Sequence, residues 1–202
     1  MLLGVYLPLQ SFAILAIYIR RSSAGFVGDN AILQFLHDSA TPQLDQLAGM
    51  LTGLGVFWGV LPASVLIGIG LLYRRQWRSL LLLSATLLGS AAINLIAKLL
   101  FRRARPQLWV PFLPELDYSF PSGHAMASMA FAAALSALAW QSRWRWPVVV
   151  LSGCFVIIIG WTRLYLGVHY PSDILAGWLL ALAWSVGVIL LTVRSPREEP
   201  SS

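Results

Sequence analysis

Charge is what this chain has least of. Only 11% of its 202 residues are charged and 58% are hydrophobic, where a soluble domain carries roughly 25% charged residues. That shortage excludes a water-soluble globular domain and leaves a membrane protein. Lysine is scarcer still, with Lys98 alone against thirteen Arg. The single cysteine, Cys154, excludes an internal disulfide, says nothing of the redox compartment, and reads as a small packing residue inside an apolar run. Only three His occur. No set of His, Cys and carboxylates has metal-ligand spacing, and no Walker-type phosphate loop is present, so no metal and no cofactor are expected. The net charge of +6 comes from basic residues scattered in short groups between apolar runs. Membrane topology signals and an anionic ligand explain that pattern, and nucleic acid does not.

Long apolar runs are what is there. A membrane-crossing helix needs ~20 mostly apolar residues. Six stretches meet or approach that length: 2–19, 51–73, 79–100, 120–140, 147–161 and 173–193. The fifth is short and can continue through Arg163. Residues 1–19 lack a basic leader and a small-residue cleavage site before Arg20-Arg21, so they read as a retained helix. Thr41-Pro42 reads as an N-cap and first helical position, with Leu44, Leu47, Leu51 and Leu54 following at helical spacing. Gly49/Gly53 and Gly55/Gly59 read as small-residue pairs for close helix approach, and His37-Asp38 as a solvated pair. Trp77, Trp109, Trp140, Trp144, Trp146 and Trp161 fall near span ends, as interfacial aromatics do. The fold expected is all-α and polytopic: six transmembrane helices in one bundle over residues 1–194, with a disordered cytoplasmic tail at 195–202.

Six crossings put Arg74, Arg75, Arg78, Arg143, Arg145, Arg194 and Arg197 on one side. Arg20, Arg21, Lys98, Arg102, Arg103, Arg105 and Arg163 fall on the other. The raw count is level. Setting Lys98, Arg105 and Arg163 aside as functional leaves seven against four, which makes the first side cytoplasmic.

The same topology gathers three stretches on one membrane face. Residues 98–106 end the third run, Pro121-Ser122-Gly123-His124 opens the fourth, and residues 163–173 link the fifth to the sixth. Ionisable groups in lipid are costly and need a partner or a job. Lys98, Arg105 and Arg163 can converge there with His124 and His169. Pro121 suits a first helical position, which leaves the N–H groups of Ser122, Gly123 and His124 free at a positive dipole end. Gly123 lets an anion approach the backbone, and the Ser122 hydroxyl adds a donor. Pro171 suits the start of the last helix, so Asp173 can lie below His169 and accept its ring N–H. Three cations and a helix N-terminus suit a tetrahedral dianion. Two His in different settings suit a nucleophile and a general acid. The chemistry expected is metal-independent phosphoryl transfer through a phosphohistidine.

These stretches resemble the signature of the type 2 phosphatidic acid phosphatase superfamily, the lipid phosphate phosphatases. They read Lys98, six residues, Arg105-Pro106; then Pro121-Ser122-Gly123-His124; then Thr162-Arg163, five residues, His169, three residues, Asp173. The one departure is Thr162, where the family has Ser; the hydroxyl is kept. The resemblance implies that His169 attacks phosphorus, Asp173 orients it, and His124 protonates the leaving oxygen and later activates water. It assigns the phosphate oxygens to Lys98, Arg105, Ser122, Gly123 and Arg163. It also implies a six-helix bundle in the cell membrane with an extracytoplasmic site, entered sideways by a phospholipid or polyprenyl phosphate. Phosphatidic acid, phosphatidylglycerol phosphate, diacylglycerol pyrophosphate and polyprenyl pyrophosphate all fit such a core. A phosphotransferase with the same core stays open. A vanadium haloperoxidase shares the anion-binding motifs, but those enzymes are typically soluble. A non-enzymatic anion channel leaves the two His and Asp173 without a purpose. No motif fixes an oligomeric state.

Overall fold

The computed structural model describes residues 3–21, 26–109, 112–113 and 115–193. Every regular element in them is a helix: α1 (Leu3–Arg21), α2 (Asp29–His37), α3 (Pro42–Leu54), α4 (Val60–Tyr73), α5 (Trp77–Phe101), α6 (Gly123–Ala139), α7 (Arg145–Tyr165) and α8 (Pro171–Val193). Helices α1, α5, α7 and α8 are long and apolar enough to cross a membrane, and α4 and α6 are shorter apolar helices. The expected tail at 195–202, with Arg194 and Arg197, lies outside the described residues.

Helix α6 sits at the centre, packed on α5, α7 and α8, while α1 lies along α8. Its sequence explains the position. The inward side chains are small: Ala125, Ala130, Ala134 and Ser128 are fully buried, as are Ala176, Ala181 and Ser185 of α8. Small residues let helix backbones approach closely where no hydrophobic force drives them together. The large apolar residues point outward instead, Ile14, Leu66, Leu88 and Leu151 among them. In water such a surface would aggregate; in lipid it is the solvated face. Buried hydroxyls bond back to their own helix, Ser185 Oγ to the Ala181 carbonyl at 2.6 Å and Ser128 Oγ to that of Ala125 at 3.2 Å, which satisfies them without water.

Three boundaries follow the sequence. Thr41 caps α3, its Oγ1 accepting the Leu44 N–H at 3.3 Å, with Pro42 in the first turn. Helix α7 continues through Arg163 to Tyr165. Pro171 opens α8.

Two expectations are corrected. The run 51–73 is not one helix. It breaks at residues 55–59, between the end of α3 at Leu54 and the start of α4 at Val60. The glycines read as helix-approach pairs serve this break. A Cβ on Gly59 would lie 2.2 Å from the Leu54 carbonyl oxygen, and Gly55 nestles against Ile159 and His124. Helix α6 also starts later than Pro121. Ser122 is its N-cap, and Pro121 precedes the cap.

Helices α2 and α3, drawn from the moderately polar stretch, pack on the site end of α7, and α2 also touches α8. Ala48, Tyr165, Leu166 and Val168 form the cluster beneath them. The Tyr165 hydroxyl donates to Asp45 Oδ1 at 3.0 Å and accepts the Thr41 N–H at 3.2 Å. His37 is half-buried rather than solvated, stacked on Trp109 at 4.0 Å between ring centroids.

The break in the α3–α4 run is testable. Gly59→Ala forces a Cβ against backbone that cannot rotate away, so it should destabilise the fold by about 1–3 kcal/mol. Thermal unfolding in detergent should show a lower midpoint; an unchanged midpoint would mean the turn at 55–59 is not held as described.

Candidate active site

The site is built where four helix ends meet. Lys98 lies in the last turn of α5, which Arg102 closes in a left-handed conformation, its N–H bonded to the Lys98 carbonyl at 3.0 Å. The chain then runs through Arg103 and Arg105 and returns through Glu115 and Asp117 to the Ser122 cap of α6. Arg163 lies in the last turn of α7. Gly167, at φ +68°, turns the chain toward His169. Trp109 lies across that turn, 2.5 Å from where a Gly167 Cβ would be. The α7–α8 and α5–α6 links are thereby locked together.

The residues expected at the site do come together. Lys98, Gly123, His124 and His169 line one cavity. Arg105 Nη1 lies 3.1 Å from His169 Nε2 and donates to the Val168 carbonyl at 2.6 Å. A guanidinium only donates, so Nε2 faces it as an acceptor and the ring proton sits on Nδ1. Nδ1 faces Asp173 Oδ2 at 3.5 Å, a contact longer than a hydrogen bond. That ring nitrogen has no other partner and is fully buried. Asp173 Oδ2 meanwhile accepts the Tyr170 N–H at 2.9 Å. Burial holds the His169 imidazole well below its ordinary pKa, and Arg163, Arg105, Lys98 and His124 push it the same way. The ring is therefore neutral at physiological pH.

Ser122 departs from expectation. Its N–H donates to the Asp173 carbonyl at 3.1 Å, and its Oγ accepts the Ala125 N–H at 3.4 Å. With the side chain fully buried, it caps α6 and ties it to α8 instead of offering a donor to an anion. Gly123 and His124 keep the free N–H positions of a helix start. Asn94, one turn before Lys98 on α5, holds this start, donating to the Pro121 carbonyl at 3.1 Å.

Four acids and one Arg at the site escape the motif reading. Glu115 and Asp117 sit in the cradle itself. Lys98 pairs with Asp117; Arg105 pairs with Asp117 and, at 2.5 Å, with Glu115; Arg163 pairs with Glu115 and donates to Thr52 Oγ1 at 2.7 Å. The three cations expected to hold phosphate thus hold carboxylates. Burial would raise the Asp117 pKa, but the hydrogen bonds and charges of Lys98 and Arg105 outweigh it and hold the group below its ordinary value. Asp29 and Arg103 stand behind Asp173, where Arg103 Nη1 meets Asp173 Oδ1 at 2.5 Å and Nη2 meets Asp29 Oδ2 at 2.9 Å. The signal for Glu115 and Asp117 was their place in the loop beside three unpaired cations. Asp29 carried no such signal, because the fold alone brings it to α8.

An incoming anion has to displace both loop carboxylates. Inhibition by inorganic phosphate should therefore tighten about tenfold or more in a Glu115→Gln/Asp117→Asn double variant, since a charged hydrogen bond contributes about 1.5–3 kcal/mol. Weaker inhibition would mean that these acids orient the cations for phosphate instead of competing with it.

Comparison with known proteins bears on this geometry. Residues 79–197 match the PAP2 superfamily. Phosphatidylglycerophosphatase B of Bacillus subtilis (strain 168) is 32% identical over 148 residues, covering 70% of this chain and 71% of that protein. An undecaprenyl-diphosphatase of Sulfolobus acidocaldarius is 26% identical over 184 residues, covering 87% of this chain and 84% of that protein. The crystal structure of a transmembrane PAP2 type phosphatidylglycerolphosphate phosphatase from Bacillus subtilis superposes with a TM-score of 0.86 at 28% identity. It covers 98% of this chain and 100% of that one. The match takes in the end of α5 with Lys98, the start of α6 with His124 and the α7–α8 link with His169. The chain belongs to the PAP2 superfamily and is a multi-pass membrane phosphatase.

Proposed function

We propose that the chain hydrolyses the terminal phosphate of a membrane lipid, without a metal, through a phosphohistidine on His169. The observation that carries this reading is one cavity with two chemistries. It has a volume of about 970 Å³. At one end stand Lys98, His124 and His169; from there it runs between α4 and α5 past Val60, Leu61, Val65, Leu83, Leu87 and Leu88. Leu83 and Lys98 are fifteen positions apart on α5, about 22 Å along the axis. A head group bound at the cations leaves an apolar chain lying in the groove. At ~0.8 kcal/mol per CH₂ kept from water, a lipid gains from that arrangement and a soluble phosphate ester does not.

The chemistry follows from the donors. Nε2 of neutral His169 attacks phosphorus, the P–N bond forms, and the bond to the leaving oxygen breaks. His124 gives that oxygen its proton. The imidazole keeps its Nδ1 proton and carries the positive charge opposite Asp173. In the second half His124 takes a proton from water, hydroxide attacks phosphorus, and the P–N bond breaks. Lys98, Arg105, Arg163 and the Gly123 N–H are the groups for the equatorial oxygens. Ser122 supports them through the α6 cap. A cradle of Lys and Arg repels a divalent cation, which supports metal independence.

Two of the relatives above are named for phosphatidylglycerol phosphate, which favours a glycerolipid phosphomonoester as substrate. A polyprenyl diphosphate is the second reading, favoured by the undecaprenyl-diphosphatase relative. We read α4 and α6 as crossings too, giving six in one domain over residues 1–194. Helix α6 has 17 residues, about 26 Å at the usual rise, against a ~30 Å hydrocarbon core. The site then faces outward from the cell membrane. The buried Arg103 joins Lys98, Arg105 and Arg163 as a charge exempt from the topology rule, which leaves seven basic residues against three.

His169→Ala should abolish both turnover and trapping of labelled phosphoenzyme, while excess chelator leaves the parent enzyme active. Label trapped on His124, or activity lost to chelator and restored by magnesium, would sink the mechanism. The orientation is read separately. In a Cys154→Ser background, cysteines at Gln107 and Leu116 should react with an impermeant thiol reagent in intact cells, and one at Gln76 should not. The opposite labelling would put the site in the cytoplasm.

A further inference from the structure

We propose that Asp29 and Arg103 are positioning residues for His169: a buried carboxylate–guanidinium bridge that holds Asp173 and sets the charge His169 meets as it is phosphorylated. The inference rests on the phosphohistidine reading above. Neither residue belongs to the motifs that located the site. Arg103 lies in the α5–α6 link and Asp29 opens α2, and the two are almost wholly buried together.

The geometry is complete at every atom. Arg103 Nη1 donates to Asp173 Oδ1 at 2.5 Å and to Ser172 Oγ at 2.8 Å; Nη2 donates to Asp29 Oδ2 at 2.9 Å. The guanidinium carbon lies 4.1 Å from the centroid of the Tyr170 ring. Asp29 Oδ1 accepts the Ser172 N–H at 3.0 Å, and its Oδ2 accepts the Ser172 hydroxyl at 2.5 Å. One carboxylate thus anchors the first turn of α8 and the guanidinium at once. Asp173 is held through Oδ1, which leaves Oδ2 for the Tyr170 N–H and the face of His169 Nδ1. Bridging two carboxylates needs the planar fork of Arg.

Charge explains why there are two acids. Buried ion pairs are poor stabilisers, because desolvation offsets their attraction. A pair of Arg103 and Asp173 alone would be neutral, and the His169 ring would face no net field. Asp29 makes the group net anionic by one charge. When the Nε2–P bond forms, the imidazole becomes cationic with its proton on Nδ1. The anionic triad then stabilises a charge absent from the resting ring, which lowers the barrier without tightening substrate binding.

The test uses the full-length protein in detergent micelles, with dioctanoyl phosphatidic acid as substrate and orthovanadate as inhibitor. Arg103→Gln and Asp29→Asn should each slow phosphoenzyme formation and kcat by about tenfold to hundredfold, the range seen when residues behind a ligating His are lost. KM and inhibition by orthovanadate should stay as in the parent. The double variant should be little worse than the poorer single, since the two act as one unit. An unchanged kcat in either single variant overturns the proposal. So does a parallel loss of kcat and orthovanadate inhibition, which would make the bridge a scaffold for the whole cradle. If Arg103→Gln does not fold, Asp29→Asn carries the same outcomes, because it keeps side-chain volume and the contact to the Ser172 N–H. His169→Ala separates the two levels. Turnover in that variant would refute the phosphohistidine itself; a dead His169→Ala beside fully active bridge variants would refute only the positioning role.

Discussion

The rest of the structure depends on neutralising three cations at the end of a helix bundle that has almost no charge to spare. Lys98 and Arg163 are buried, and Arg105 has an almost wholly covered side chain. Isolated charges in such surroundings are expensive, so each must be paired. In the ligand-free chain Glu115 and Asp117 do this. Their carboxylates present oxygens to the same nitrogens that a phosphate would take. The exchange of one set of anionic oxygens for another keeps the site neutral through the catalytic cycle. It also accounts for why the α5–α6 link is the longest non-helical stretch in the chain: it must carry Arg105 into the site and bring two acids back to it.

The bundle supplies what the charges require. Alanine and serine faces on α6 and α8 let those helices approach closely, so Ser122, at the start of α6, reaches the Asp173 carbonyl in the first turn of α8. That bond fixes His124 and His169 relative to each other through backbone, with no side chain between. Trp109 over Gly167 and Arg103 over Tyr170 bind the α5–α6 link to the α7–α8 link. The consequence is a rigid floor beneath a replaceable pair of acids, with the apolar groove between α4 and α5 open beside it.

Much of this was legible in the residues. The apolar runs marked the long helices, Thr41-Pro42 marked the start of α3, and the spacing of Lys98, Arg105, His124, Arg163, His169 and Asp173 marked one site. Their convergence follows from antiparallel helices and needs no knowledge of packing. The break at 55–59 was not legible. An apolar run containing Gly53, Gly55 and Gly59 suits a helix or a turn, and only the approach of the Leu54 carbonyl to Gly59 decides. Ser122 was misread for a related reason. A residue after Pro121 can begin a helix or cap one, and the hydroxyl points inward as soon as it caps. Asp29 was beyond reach, since its partners lie 74 and 143 positions away along the chain and a lone Asp before an amphipathic helix looks like an ordinary first-turn acid.

The same features bear on which step selects a lipid. The loop carboxylates and a phosphate head group compete for the same nitrogens, so charge alone gives an incoming soluble phosphate little advantage over the resting state. Apolar contact breaks the tie. Each methylene that enters the groove adds free energy that Glu115 and Asp117 cannot match, because those acids have no chain to place there. Binding of the tail therefore drives the carboxylates off the cations, and the cations become free only when a tailed substrate is seated. Discrimination between lipid and soluble phosphate then resides in the α4–α5 groove, while the cradle that performs the chemistry can remain indifferent to what the phosphate is attached to.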